Sequence, residues 1–175
     1  MKNIIFFRVA FTIIFSLNIK LSYADFTAKV YKVVDGDTIH VENKYGKKFK
    51  VRLTGIDAPE RGQPYGLEST YKLRELLLNK LVLLKSKPKN GKPFSVDRYK
   101  RVLAKIILDG RDINLSQVIS GYAWHFKRYQ KQQSSTDKGL YSQAELNAKK
   151  NELGLWCEKN PIAPWKWRKI KNNLN

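Results

Sequence analysis

Residues 38–54 read TIHVENKYGKKFKVRLT, and this stretch decides the fold. Apolar and polar residues alternate from Ile39 and again from Phe49, on either side of residues 43–46. A period of two is typical of half-buried strands, and Asn and Gly between them favour a hairpin turn. The alternation also places Arg52 on the face opposite the core, where its guanidinium is available for chemistry.

The pattern on either side of this hairpin predicts three further strands and about three helices. In chain order these are a strand at 27–34, a helix at 66–79, strands at 81–85 and 102–108, and helices at 114–119 and 136–153. Five short strands with an interposed helix favour an α+β fold dominated by a β-barrel. We therefore expect a five-stranded OB-fold barrel with about three helices.

Two details of the helices and one of the tail can also be predicted. Asn114 and Gln117 have the spacing of a capping box, and Leu140, Ala144 and Ala148 are expected to face the core from the last helix. A basic, Trp-rich tail begins at about residue 158. We expect it to dock against the barrel, with stacking on nucleic-acid bases as the alternative.

The first residues form a segment of their own. An apolar run over 9–19 is too short to span a bilayer, and small residues occupy the positions that a signal peptidase prefers. We expect a signal peptide over 1–24, cleaved near Ala24, and an exported domain over 25–175 that is periplasmic or secreted. An uncleaved membrane anchor is the alternative, because Arg8 lies deep for a charge near a signal core.

The composition favours a compact domain that meets a polyanion. The chain has 34 Lys and Arg against 15 Asp and Glu, a formal net charge of +19, yet 42% of its residues are hydrophobic, which excludes charge-driven disorder. One Cys and two His exclude an internal disulfide framework and a closed structural zinc site. Nine basic residues and one acid fall between Lys80 and Lys105, which predicts salt-sensitive binding of nucleic acid.

Three polar segments carry side chains that folding does not require. They are VDGDT at 34–38, GIDAPE at 55–60 and DRYKR at 97–101. Asp37 and Asp57 offer two hard oxygen ligands, and a backbone carbonyl and waters would complete the shell of Ca²⁺ or a similar cation. Glu60 is close enough to Asp57 to reach a water on that cation, and Arg52 and Arg101 match phosphate oxygens. Singly, each segment also fits an ordinary turn or a solvated loop; together they are the parts for metal-assisted attack on a phosphodiester.

These segments resemble the staphylococcal (thermo)nuclease family. The motifs that carry the resemblance are VVDGDTI at 33–39, VRLTGIDAPE at 51–60, DRYKR at 97–101, GLW at 154–156 and the tail PIAPWKWRK at 161–169. The resemblance covers about residues 27–156. It implies a Ca²⁺-dependent nuclease that cuts DNA and RNA at the P–O5′ bond and leaves 3′-phosphates. We expect single-stranded substrates to be favoured, and a monomer without an obligate protein partner.

The resemblance also implies which residues hold the cation and activate the water. Asp37 and Asp57 match the family's calcium-binding aspartates. Ala58 stands where another ligand contributes its backbone carbonyl. Glu60 matches the carboxylate that activates or orients the attacking water.

The residues that meet the substrate are implied in the same way. Arg52 and Arg101 match the two arginines that bind phosphate, and Arg101 is the better candidate for assisting the leaving oxygen. With Glu60 they form the expected catalytic set. Arg98, Tyr99 and Tyr129 are the expected substrate-binding residues, with Tyr129 as a stacking partner for a base.

One departure and two alternatives bear on this interpretation. Lys100 stands where the family usually has Gly, and a positive φ there would strain the loop and could misplace Arg101. A noncatalytic OB-fold module that binds nucleic acid needs the basic residues between Lys80 and Lys105. It does not need Asp37, Asp57 and Glu60 together. A basic protein that adheres to an anionic membrane or envelope polymer gives those carboxylates no role either.

Overall fold

The computed structural model describes residues 24–173. The strands are β1 (Ala24–Asp35), β2 (Thr38–Asn43), β3 (Lys48–Leu53), β4 (Ile56–Asp57), β5 (Leu81–Ser86), β6 (Val102–Leu108), β7 (Arg111–Asp112) and β8 (Trp124–His125). Six of them form one sheet in the order β3-β2-β1-β5-β6-β7, and β3 also pairs with β6, which closes five strands into a barrel. The predicted α+β fold with an OB-like barrel is confirmed.

The hairpin of β2 and β3 forms as the alternation predicts. Ile39 lies opposite Val51, and both side chains are fully buried. The side-chain oxygen of Asn43 accepts hydrogen bonds from two amides of its own turn, which fixes the register. Arg52 lies opposite Thr38 in that register. The end of β3 is therefore placed beside the turn that precedes β2.

Barrel closure brings a second arginine to this end of the barrel. β3 and β6 run parallel, with Val51 opposite Val102. Arg101 comes immediately before β6, so the loop that ends in Arg101 lies beside the strand that carries Arg52.

Four α-helices and two 3-10 helices occur in the described part of the chain. They are α1 (Gly66–Leu77), α2 (Ile113–Ile119), α3 (Ser135–Lys150), α4 (Pro164–Asn173) and the 3-10 segments Lys127–Gln132 and Gly154–Cys157. The first three α-helices are those that the sequence predicts. The fourth is formed by the basic tail, which docks against the rest of the protein through Trp165.

Two local predictions for the helices are wrong. The N-cap of α2 is Asp112, whose side chain accepts a hydrogen bond from the amide of Leu115. Asn114 is fully buried instead, and its amide bonds backbone groups of β6, which would otherwise be unsatisfied in the core. In α3 the predicted inward positions of Ala144 and Ala148 are confirmed, but Leu140 is 51% exposed. Tyr141 faces inward in its place, and its hydroxyl donates to the Asp112 carboxylate.

No helix within residues 24–173 is long and apolar enough to cross a membrane. The signal peptide predicted over 1–24, and the membrane anchor that is its alternative, lie outside the described residues apart from Ala24, where β1 begins.

Candidate active site

Two buried aspartates converge on one nitrogen of Arg52. Asp37 lies between β1 and β2, Asp57 ends β4, and the two residues are 6% and 1% exposed. Nη2 of Arg52 lies 2.9 Å from Oδ2 of Asp37 and 2.9 Å from Oδ1 of Asp57. Because both oxygens contact the same atom, the two carboxylates face a single point that positive charge occupies. The two predicted cation ligands are thus brought together.

The turn between β1 and β2 places Asp37. The amide of Asp37 donates to Oδ1 of Asp35, and the carbonyl of Gly36 accepts from the side chain of Gln117. A Cβ on Gly36 would lie 1.8 Å from Oγ of Ser69, so only glycine lets α1 pack against this turn. Burial and the neighbouring Asp37 raise the pKa of Asp35 to about 7. Protonation of Asp35 near neutral pH therefore relieves its repulsion with the carboxylate of Asp37.

The segment after β4 ties the second aspartate to the first. β4 pairs with β8, which sets Asp57 opposite Trp124. The amide of Ala58 then donates to Oδ2 of Asp37 at 2.8 Å. Burial raises the pKa of Asp57, and the negative charge of Asp37 raises it further. A hydrogen bond from Arg168 opposes this rise without cancelling it.

This donor set fits a hard cation. Among residues 24–173, no three or more His, Cys, Asp or Glu side chains are grouped as a metal site, so a cation here would rely on two carboxylates. Asp37 and Asp57 are buried, and each already has a guanidinium nitrogen within 2.9 Å as its counter-charge. With the backbone carbonyl of Ala58 and waters, these ligands suit Ca²⁺, which takes oxygen ligands in irregular geometry.

Glu60 reaches solvent from a loop whose backbone is held against the start of α1. The backbone amide of Glu60 donates to the side-chain oxygen of Gln63, and the backbone carbonyl of Glu60 accepts from the backbone amide of Gln63. A Cβ on Gly66 would lie 1.9 Å from the Glu60 carbonyl oxygen, so this contact also requires glycine. The side chain of Glu60 is 41% exposed, which leaves the carboxylate accessible to water.

Asp97 organises the loop that carries Arg101. Its Oδ1 accepts from the amides of Tyr99 and Arg101, and its Oδ2 lies 2.7 Å from Nε of Arg101. Nη1 of Arg101 lies 3.4 Å from the hydroxyl of Thr38, which donates in turn to Oδ1 of Asp37. A short chain of hydrogen bonds therefore connects Arg101 with the aspartate pair.

Lys100 has the backbone conformation that glycine favours. Its φ is 60°, in the left-handed region. Its amide nevertheless donates to the carbonyl of Asp97 at 3.0 Å, and Arg101 keeps its contacts with the Asp97 side chain. The left-handed backbone expected at Lys100 is present, and Arg101 is paired with Asp97 in the same loop.

Two of the three expected substrate-binding residues, Arg98 and Tyr99, are in contact with each other. The guanidinium carbon of Arg98 lies 4.7 Å from the ring centroid of Tyr99, and that of Arg101 lies 5.4 Å from it. Tyr99 is 60% exposed, so part of its surface is open to a ligand. Tyr129 packs edge-on against Phe126, which in turn stacks on Trp165 of α4.

A third arginine, which the motif reasoning missed, reaches the site from α4. Nη2 of Arg168 lies 2.7 Å from Oδ2 of Asp57, and Nη1 lies 2.6 Å from Oε1 of Glu60. Burial alone would lower the pKa of Arg168, but hydrogen bonds to these two carboxylates raise it, so the guanidinium stays charged. The signal in the sequence is the spacing of Trp165 and Arg168, since residues three apart share a helix face.

Comparisons with known proteins agree on one family. The model of the Staphylococcal nuclease homologue family matches residues 50–158. An uncharacterized endonuclease of Haemophilus influenzae is 40% identical over 143 residues, which cover 82% of this chain and 73% of that protein. A micrococcal nuclease of Shigella flexneri is 35% identical over 162 residues, which cover 87% of this chain and 86% of that protein. The family match includes Asp57, Glu60 and Arg101, whereas Asp37 precedes it and Arg168 follows it.

Proposed function

Because the chain belongs to the staphylococcal nuclease family and is a hydrolytic nuclease, we propose that it is calcium-dependent and sugar-nonspecific. It cuts DNA and RNA at the P–O5′ bond and leaves 3′-phosphates. The observation that carries the proposal is the convergence of Asp37 and Asp57 on one nitrogen of Arg52, with Glu60 linked to Asp57 through Arg168. A module that only binds nucleic acid has no need of this arrangement.

Asp37 and Asp57 hold the calcium ion, and the backbone carbonyl of Ala58 is the third protein ligand. The ion supplies Lewis acidity toward the phosphodiester. Two buried carboxylates that already face one positive nitrogen support this assignment, because a divalent charge neutralises both of them. A phosphate that approaches the aspartates also meets the guanidinium of Arg52.

Glu60 acts as the general base. Its carboxylate is 41% exposed and adjoins the aspartate pair, so it can accept a proton from a water that attacks phosphorus. Its Oε1 is bonded by Arg168, which leaves Oε2 to take the proton.

Arg52 and Arg101 bind and neutralise the phosphate. Planar guanidinium groups donate two parallel hydrogen bonds to phosphate oxygens, and the charge on those oxygens grows in the transition state. Arg101 approaches from the loop before β6 and is the residue that assists departure of the 5′ oxygen. Its side chain is 26% exposed, so it can reach a substrate without a change of fold.

The substrate is a single strand bound through phosphates and base stacking. Tyr99 presents an exposed ring flanked by Arg98, and Tyr129 presents another that is 49% exposed. Stacking on aromatic rings requires unpaired bases and tolerates either sugar. We therefore infer that DNA and RNA are both cut and that single strands are preferred.

The protein acts outside the cytoplasm. The support is the sequence of residues 1–24, whose short apolar run and small residues before position 25 are typical of a signal peptide. Mass measurement of the protein recovered from each cell fraction tests this. An exported product that begins at Asp25 is expected, and a cell-bound protein of full length would contradict it.

The proposed activity is tested by digestion of single-stranded DNA and RNA by the purified protein. Calcium, magnesium and chelator are compared, and the ends of the products are analysed. Calcium-dependent cleavage to 3′-phosphates is expected for both nucleic acids. Tight, salt-sensitive binding without cleavage would instead favour the noncatalytic binding module.

Glu60→Gln and Arg101→Ala are the matched variants for this assay. Both are expected to lose most turnover while their circular dichroism and melting temperature stay close to those of the unaltered protein. A folded Glu60→Gln protein with a normal rate would remove the general-base assignment.

A further inference from the structure

Helix α4 is held against the barrel through Trp165. Its ring stacks on Phe126 with centroids 5.3 Å apart, and it meets Trp124 edge-on at 5.5 Å. Residues three positions apart lie on one face of a helix. The packing that half-buries Trp165 therefore also turns Arg168 toward the active site.

Arg168 joins two carboxylates that are expected to have different duties. Its Nη2 lies 2.7 Å from Oδ2 of Asp57, a predicted cation ligand, and its Nη1 lies 2.6 Å from Oε1 of Glu60, the predicted base. Nη1 of Arg168 also lies 3.3 Å from Oδ1 of Asp57, the oxygen that Arg52 contacts, whereas neither Arg52 nor Arg101 forms an ion pair with Glu60. Among the residues described, Arg168 is the cation that reaches Glu60.

We propose that Arg168 is a positioning residue for Glu60, delivered by the docked helix α4. The inference rests on the proposed nuclease function and deepens it. Glu60 is a long side chain, 41% exposed, and without a partner it would sample several rotamers. The hydrogen bond from Arg168 to Oε1 fixes the carboxylate so that Oε2 is presented to the attacking water.

The fork of the guanidinium matters for this role. Asp57 and Glu60 are contacted chiefly through two different nitrogens, so the contact with Glu60 can persist when a cation takes over Oδ2 of Asp57. Lysine has a single nitrogen and cannot divide its contacts in the same planar geometry. Arg168 competes with a cation for Asp57, and its removal is therefore expected to leave calcium binding unchanged or tighter.

The test compares Arg168→Ala and Arg168→Lys with Lys169→Ala, which removes an exposed positive charge from the same helix. Three quantities are measured: kcat and KM on single-stranded DNA, calcium affinity by calorimetry without substrate, and the near-ultraviolet circular dichroism of the tryptophans. The last reports whether α4 stays docked. Arg168→Lys keeps the aliphatic stem and the charge, and so keeps the test valid if alanine releases the helix.

For Arg168→Ala we expect kcat to fall about 10- to 100-fold, a part of what a general base contributes, with KM within about threefold. Calcium affinity should be unchanged or higher. Arg168→Lys should have an intermediate kcat with α4 still docked, and Lys169→Ala should match the unaltered protein.

Three outcomes would overturn the inference. They are an unchanged kcat in both Arg168 variants, a rise in KM alone, and a fall in kcat that follows a loss of calcium affinity. A rise in KM would make Arg168 a substrate contact, and lost calcium affinity would make it a support of the cation site. An unaltered protein that binds calcium but cuts nothing would overturn the proposed function itself. That result is distinguishable, because it is seen before any variant is made.

Discussion

Arg101 and Asp97 are joined by two contacts of 2.7 Å, from Nε and from Nη2 of the arginine to the same oxygen of the aspartate. The other oxygen of Asp97 accepts from the backbone amide of Arg101. One carboxylate therefore holds both the backbone and the guanidinium of this residue. The direction of Arg101 is set inside its own loop, before any ligand binds.

Asp97→Asn should lower kcat/KM on single-stranded DNA by about tenfold or more, because small displacements of a group that binds the transition state have large effects on rate. The amide side chain can still accept from the loop backbone but no longer pairs with the charged guanidinium. Asp109→Asn is the control, since this exposed aspartate follows β6 and its left-handed φ of 49° suits asparagine. Equal rates for Asp97→Asn and the control would contradict the prediction.

The same ion pair predicts a pH dependence of stability. Burial would raise the pKa of Asp97, but hydrogen bonds from Arg101 lower it below its usual value of 3.8. A carboxyl group whose pKa is lower in the folded state stabilises the protein above the unfolded pKa and loses that effect as the pH falls through the folded pKa. The unaltered protein should melt higher than Asp97→Asn by a constant amount at about pH 6. This difference in melting temperature should begin to shrink below about pH 4 and continue to shrink as the pH falls further. A gap that stays constant down to pH 2.5 would speak against it.

Lys100→Gly should raise the free energy of unfolding by up to about 1 kcal/mol, since the left-handed strain of an L-residue exceeds the entropy that glycine adds to the unfolded chain. The strain arises because Lys100 has a φ of 60°, in the left-handed region. Lys44→Gly removes an exposed turn lysine that does not have a positive φ, and it should lower stability slightly. Chemical denaturation measures both changes. Two equal losses of stability would refute the assignment of strain.

Glu145→Ala should lower the free energy of unfolding by roughly 1–3 kcal/mol, because it leaves the buried amide of His125 without its charged acceptor. The side chain is 3% exposed; it accepts from the amide of His125 and lies 2.8 Å from the ammonium of Lys127. It thereby ties β8 to α3. Glu75→Ala, which removes an exposed i,i+3 pair, should change stability by less than about 0.5 kcal/mol.

Most of the barrel could be predicted because its signals are local. The alternation around residues 43–46 fixes a hairpin by itself, and a period of two needs no knowledge of the partner strand. Helix α4 could not be predicted in that way. Its first turn is held by Trp165 on Phe126 and Trp124, which come from a distant part of the chain. Asn114 was misread for a similar reason, since its partners are backbone groups of β6.

In the candidate active site, the sequence could predict which residue types take part, but it could not predict which of them contact one another. Asp37, Asp57 and Arg52 could be proposed from the chemistry of their side chains, but the register of the barrel decides that one nitrogen meets both aspartates. Arg168 lies 108 positions beyond Glu60 in the chain. A contact over that separation depends on how α4 docks, which local patterns do not determine.

Calcium should stabilise the folded protein even when no substrate is present. A ligand that binds only the folded state adds about 2.7 kcal/mol at a hundred times its dissociation constant, which corresponds to a rise in melting temperature of about 5–10 °C for a domain of this size. The buried, converging carboxylates of Asp37 and Asp57 are the reason, because the cation relieves their mutual repulsion. Calorimetric melting with calcium and with chelator measures the effect. Asp57→Ala should abolish the calcium-dependent shift, whereas Glu60→Gln should retain it, because Glu60 is assigned to the water and not to the cation. An equal shift in Asp57→Ala would place the calcium ion elsewhere on the protein.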